Sequence, residues 1–214
     1  PAHRLGHNRP WHQFSRSMLR LDRSVLVVFA TREVMEEAFR LAITGSPGTG
    51  KSTVASLLED RGYSIETVEE IAEEYGSIGE VDPQDGARPI DLVKLQQELE
   101  SAWEVPPSKP TAIDGHLSHL LEVDCLVILR CRPGVLRERL SERSYPGDKI
   151  DENVDWEILG GPWAEDVDGR PIIEFDSSSE SPEAIVEGIL RWASDDFKPR
   201  VPRNPIDWVG EGEV

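Results

Sequence analysis

Cysteine, lysine and long apolar runs are all scarce in this chain, and each scarcity excludes something. Only Cys125 and Cys131 are present. They flank the run Cys125-Leu-Val-Ile-Leu-Arg-Cys131, and in an extended strand six residues span roughly 20 Å, beyond the reach of a disulfide. The two read as reduced, buried thiols in a reducing compartment. The longest apolar run near the N-terminus, Val25 to Ala30, is six residues. A secretory signal needs about 7–15 and a membrane span about 20. The expected location is therefore the cytoplasm, with no membrane partner. Lysine supplies five of the 23 basic residues, against 41 acidic ones, for a net charge of −18. Phosphate backbones are held by a surplus of Lys and Arg, so a strong nucleic-acid binder is excluded. An acidic, lysine-poor surface suits a salty cytoplasm and says little about fold.

The charge is uneven. Residues 1–32 hold six Arg and one acid, net +5, which leaves −23 on the other 182 residues. Residues 1–34 show no sustained periodicity and read as a disordered extension or a mis-set start, with Met35 opening the domain. The segment is expected to be dispensable. His3, His7 and His12 within it read as solvated side chains rather than a metal site.

From residue 39 apolar strands alternate with amphipathic helices. Strands are expected at Phe39–Thr44, Tyr63–Glu66, Thr111–Asp114, Val123–Arg130 and Pro171–Asp176. Helices are expected from Lys51 to Arg61, from a capping box at Thr67 to Tyr75, from Asp91 to Glu104, over Pro133–Arg143 and Asp148–Leu159, and from Ser181 to Trp192. Gly76, Gly79, Pro83, Gly86 and Pro89 place a loop between the second and third helices. This order implies an α/β fold with a parallel sheet covered by helices on both faces. Residues 35–196 form the domain, and residues 197–214 read as an irregular acidic tail.

Gly45-Ser-Pro-Gly48-Thr49-Gly50-Lys51-Ser52 is a complete Walker A sequence between a strand and a helix, which makes the fold a P-loop NTPase. Glycines let the backbone N–H groups turn inward toward phosphate, and the helix N-terminus adds its positive end. Lys51 is expected at the β- and γ-phosphates and Ser52 on Mg²⁺. Asp114, at the end of an apolar strand, reads either as a second Mg²⁺ holder or as a cap for the next helix. His116 reads as a polar group near the phosphates or a satisfied structural histidine. His116 and His119, three apart, lack the further ligands a zinc site needs. Arg130, Arg132, Arg137, Arg139 and Arg143 form a basic run. Arg139 and Arg143 share a helix face and suit phosphate binding; the bland alternative is a solvated helix paired with Glu138 and Glu142.

These pieces resemble a known family. Ile-Thr-Gly45-Ser-Pro-Gly-Thr-Gly-Lys-Ser-Thr53, Ala-Ile-Asp114-Gly-His116, Val-Ile-Leu-Arg130, Leu-Arg-Glu-Arg139-Leu-Ser-Glu-Arg143-Ser-Tyr145, Lys149-Ile and Glu152-Asn153 are similar to the small archaeal and nuclear-type adenylate kinases. The likeness covers about residues 39–195. It implies transfer from ATP to AMP with Mg²⁺, an acceptor-binding region over about 67–95 and a short lid over about 142–152. By the same resemblance ATP is held by Gly45, Gly48, Thr49, Gly50, Lys51, Ser52, Thr53, Arg139 and Arg143. Lys51, Asp114, His116 and Arg143 are the catalytic set, and Ser52 and Asp114 hold the metal. Eukaryotic relatives are linked to small-subunit ribosome assembly, which implies a basic ribosomal protein as a partner.

The chain departs from the family pattern at three places. Glu73 stands where members often carry an Arg, with Arg88 as a substitute from the loop. Ser144 stands where a glycine often precedes the Tyr. Gly160-Gly161-Pro162-Trp163 interrupts what is often one continuous helix. Three activities follow as expectations: an adenylate kinase, an ATP-driven assembly factor with weak kinase activity, or a kinase for another small acceptor.

Overall fold

The computed structural model describes residues 38–81, 88–165, 167 and 169–212. The N-terminal segment, with its three histidines, lies outside these, as do Asp166 and Asp168.

Five parallel strands form one sheet: β1 (Arg40–Thr44), β2 (Ser64–Thr67), β3 (Thr111–Asp114), β4 (Cys125–Arg130) and β5 (Ile172–Asp176), in the order β2-β3-β1-β4-β5. Six helices accompany them among the described residues: α1 (Lys51–Glu59), α2 (Val68–Glu74), α3 (Leu92–Ala102), α4 (Pro133–Glu142), α5 (Gly147–Ile158) and α6 (Pro182–Ser194). None is long and apolar enough to cross a membrane.

The sheet is buried on both faces because its strands alternate two apolar sets. Leu41 and Ile43 of β1 and Cys125, Val127 and Leu129 of β4 pack with Val54 and Leu58 of α1 and with Ile185, Ile189 and Trp192 of α6. Ala42, Ile113, Leu126 and Ile128 face the other way, onto Val68 and Ile71 of α2 and Leu95 and Leu99 of α3. A period of two feeding two helical layers is what a doubly covered parallel sheet requires. A smaller cluster joins α4 to α5 through Leu136, Leu140, Ile150 and Val154.

The connections fix where a ligand can sit. From β1 the chain passes over β3 to β2; from β3 it passes back over β1 to β4. The crossovers diverge between β1 and β3, opening a crevice at their carboxyl ends, the usual ligand position in open α/β sheets. Ile43 of β1 is in register with Asp114 of β3 there.

Local chemistry explains the element ends. Thr67 and Glu70 form a complete capping box on α2, Asp91 caps α3 and Ser181 caps α6. Ser144, after α4, sits at φ 59. It holds the left-handed conformation for which glycine is the easy residue. The interruption at Gly160-Gly161-Pro162 is real: α5 stops at Ile158, and a separate 3-10 turn covers Gly161–Ala164.

Residues 197–212 carry neither helix nor strand, yet they are docked. Phe197 packs edge-on against Phe39 and Trp192 at 5.0 and 5.1 Å. Trp192 Nε1 donates to the Pro199 carbonyl at 3.0 Å, and the Ile172 N–H donates to the Arg200 carbonyl at 2.8 Å, covering part of the β5 edge. Trp208 is buried at 2% exposure. The acidic tail expected from sequence is a strap whose aromatic side chains enter the core.

Candidate active site

The phosphate loop joins β1 to α1. Gly45 sits at φ 139, and a Cβ there would lie 2.2 Å from the Leu129 carbonyl oxygen, so only glycine lets the loop leave the sheet beside β4. Gly50, at φ 93, is the N-cap of α1 and accepts from the N–H groups of Thr53 and Val54, both at 3.1 Å. Ser46 and Thr49 are buried, whereas Ser52 and Thr53 are exposed at the start of α1. Lys51 Nζ curls over the loop and donates to the carbonyls of Gly45 (2.9 Å) and Ser46 (3.0 Å). Burial pushes the Lys51 ammonium down to about 8, with Asp114 opposing the shift and Arg143 adding to it.

Asp114 is nearly buried at the end of β3, across the crevice. The following 3-10 turn (Ser118–Leu120) has Leu117 at its N-cap and no side-chain cap, so Asp114 does not cap it. Ser52 and Asp114 offer hard oxygen donors, the class Mg²⁺ prefers. Among the described residues no cluster of three or more His, Cys, Asp or Glu forms a metal cage.

The two histidines take separate places. His119 is buried; its Nδ1 lies 2.8 Å from Thr44 Oγ1 and its Nε2 2.6 Å from Glu165 Oε2. Desolvation lowers its pKa, while the bond and charge of Glu165 pull the other way. The ring bridges Thr44, at the end of β1, to Glu165, and the Thr44 hydroxyl also reaches the His116 carbonyl at 3.2 Å. His116 is exposed at the crevice mouth. Its pKa is also lowered, by desolvation first and by the Lys51 charge next.

The basic run divides. Arg130 is wholly buried and Arg137 pairs with Asp151 at the surface. Arg139 and Arg143 line a pocket of about 570 Å³ beside the loop, with Gly48, Thr53, Ser177 and Ile185. Arg139 is held there: Nη1 donates to the Gly48 carbonyl (3.3 Å) and Ser177 Oγ (3.2 Å), and Nη2 to the Ser177 carbonyl (2.8 Å). Arg143, the C-cap of α4, stays exposed. On the α2 side, Arg88 donates to Glu73 through Nη1 and to the Gly79 carbonyl through Nε at 3.2 Å. The acid at the departure site and its candidate substitute are bound to each other.

Sequence reasoning passed over Glu157, Ser177 and Trp208, and counted Glu165 only as part of an acidic surface. Trp208 had a signal, a large aromatic in an otherwise polar, Pro-rich stretch. The others had none.

Residues 41–160 match a family profile described as an AAA domain. A protein of Archaeoglobus fulgidus described as "putative adenylate kinase" is 38% identical over 176 residues, covering 81% of this chain and 93% of its own length. A protein of Pyrococcus abyssi with the same description is 38% identical over 170 residues, covering 78% of this chain and 90% of its own. Among solved structures, a shikimate kinase from Acinetobacter baumannii in complex with shikimate covers 77% of this chain and 97% of its own, with a TM-score of 0.51 and 16% identity. At that identity the likeness concerns the fold alone.

Proposed function

The chain belongs to the archaeal kinase family that these relatives define, and on that footing we propose that it is a cytoplasmic adenylate kinase transferring the γ-phosphoryl group of ATP to AMP, giving two ADP. The observation that carries the reading is the pairing of a complete phosphate loop with a strand-end carboxylate, Asp114, across the crevice at the sheet's switch point. In this reading the loop N–H groups and Lys51 hold the phosphates, and Lys51 exchanges its two loop carbonyls for phosphate oxygens. The fixed guanidinium of Arg139 presents a flat face to a planar base, and Arg143, exposed at the end of α4 beside the same pocket, is placed to reach the transferred group. His116, held largely neutral, donates a hydrogen bond near the acceptor oxygen. A bound Mg²⁺ would neutralise charge across the β- and γ-phosphates, with Ser52 and Asp114 as its protein oxygens. No covalent intermediate is needed; positioning and charge suffice.

The Lys51 ammonium gives a pH signature. Phosphates favour the charged amine, so they raise its pKa above the value of about 8 in the ligand-free site. ATP affinity should be flat below that pH. Above it, binding must take up a proton, and affinity should fall by up to about tenfold per pH unit. Calorimetry in buffers of different ionisation enthalpy checks both the slope and the proton uptake. Affinity that stays level to pH 10 would contradict a lysine with a lowered pKa at the phosphates.

AMP is the proposed acceptor, and the Glu73–Arg88 pair is the proposed brake on its binding. Glu73→Gln releases the guanidinium without adding repulsion. The KM for AMP should fall several-fold with that for ATP unmoved, and Arg88→Ala should raise it by about tenfold, the worth of one charge-assisted hydrogen bond. Steady-state rates with AMP, other monophosphates, sugars and no acceptor test the reading as a whole. Preference for a different acceptor class would replace it.

A second reading is a factor that handles a basic small-subunit ribosomal protein. Its support is the acidic surface, with Glu69, Glu70, Glu73 and Glu74 all exposed on α2. Two of those four are already engaged within the chain, Glu70 in the cap and Glu73 with Arg88. The kinase reading therefore takes precedence. Nucleotide-dependent, salt-weakened capture of one basic protein would favour the second.

A further inference from the structure

We propose that Glu157 is a positioning residue of the phosphate loop, acting through the Ser46 hydroxyl, and that the C-terminal strap completes its setting through the Trp208 indole. The inference rests on the phosphate-loop reading but not on the identity of the acceptor.

Glu157, at the end of α5, is 0% exposed. A buried carboxylate costs several kcal/mol unless donors surround it. Four do. Ser46 Oγ donates to Oε2 at 2.6 Å. Arg130 Nε (2.6 Å), the Cys131 N–H (3.1 Å) and Trp208 Nε1 (3.0 Å) donate to Oε1. Arg130 also donates through Nη2 to the Glu157 carbonyl at 2.7 Å, and through Nη1 to Glu174 Oε1 (3.1 Å) and the Ile206 carbonyl (3.2 Å). Glu174 in turn receives Trp163 Nε1 at 2.7 Å and the Ile206 N–H at 2.8 Å. The cluster thus ties the ends of β4 and α5, the middle of β5 and the strap into one polar unit inside the molecule.

Its contact with the site is Ser46. The Ser46 carbonyl receives Lys51 Nζ at 3.0 Å and Thr49 Oγ1 at 2.9 Å. The same residue is held from behind by its hydroxyl on Glu157. A hydroxyl donating to a carboxylate is a strong, charge-assisted bond, so Glu157 fixes the peptide plane against which Lys51 rests. Trp208 is the buried residue of a strap that is otherwise mostly exposed over 201–212. Its ring seals the cluster, and its N–H supplies a donor that no aliphatic side chain could.

The test uses the full chain labelled with 5-fluorotryptophan, with the Trp208 fluorine resonance assigned by Trp208→Phe. On titration with ATP that resonance should shift. In Ser46→Ala, ATP should still bind while the shift is lost. The kcat of Ser46→Ala should fall about tenfold with the KM for ATP within about twofold, because a misplaced but intact loop loses rate before it loses binding. Glu157→Gln should lose at least as much, and adding Ser46→Ala to it should cost less than about twofold more. If Ser46→Ala turns over like wild type, or if the two losses multiply, the coupling does not exist and the cluster serves only to hold the fold together. ATP binding without any movement of the Trp208 resonance overturns the strap's part. A wild-type chain that binds no ATP overturns the phosphate-loop reading itself, and is told apart in the first titration.

Discussion

Lys51→Ala should leave a folded protein that scarcely turns over. Lys51 belongs to no apolar cluster; among the described residues its ammonium bonds the carbonyls of Gly45 and Ser46 alone. Ser46 keeps its second donor from Thr49, so removal leaves little unsatisfied, and the melting temperature should hold within a few degrees. The rate should not hold. Negative charge spreads over the phosphate oxygens in the transition state, and a fixed cation there commonly contributes about 10²–10³ in rate. Turnover near the wild-type value, measured with both nucleotides saturating, would remove the phosphate site from the loop.

Asp114→Asn should be nearly as severe, for a different reason. The change is isosteric, and the pairing of β3 with β1 and β2 runs through the backbone, so the sheet should persist. What goes is the negative charge facing the crevice. Loss of a metal-holding carboxylate should lower the rate by about 10² or more and move the Mg²⁺ titration to higher concentration. Direct Mn²⁺ binding in the presence of ATP, followed by paramagnetic resonance, reads the same loss without turnover. An unchanged metal titration would return Asp114 to a structural role.

Much of the architecture was legible because its signals are local. The continuous apolar runs at Arg40–Thr44 and Cys125–Arg130, the capping box at Thr67 and the Ser181 cap are read within a few residues, and Thr111–Asp114 was read to its ends. The Walker A spacing is likewise local. What escaped depends on partners far along the chain. Arg130 looked like one of a row of surface arginines, because nothing near it announces partners 27 and 44 residues away, Glu157 and Glu174. Glu157 looked like one more acid on a polar helix. Trp208 lay in a segment whose prolines and acids outweighed one indole, yet a ring in the core outweighs several exposed charges in energy. Arg139 was grouped with Arg143 by helical spacing; the bonds to Ser177 set a held guanidinium apart from an exposed one. His116 was given a polar or structural role and His119 none of its own, whereas His119 is the one of the two that is buried, between Thr44 and Glu165.

The phosphoryl group itself gives the most direct test. With ATP labelled at the γ-position and unlabelled AMP, direct transfer predicts that the label appears in the β-phosphate of ADP, with two ADP formed for each ATP consumed, and that omitting AMP stops the reaction. Label released as inorganic phosphate at the same rate with or without AMP would contradict the account and make the protein a nucleotide-driven switch instead.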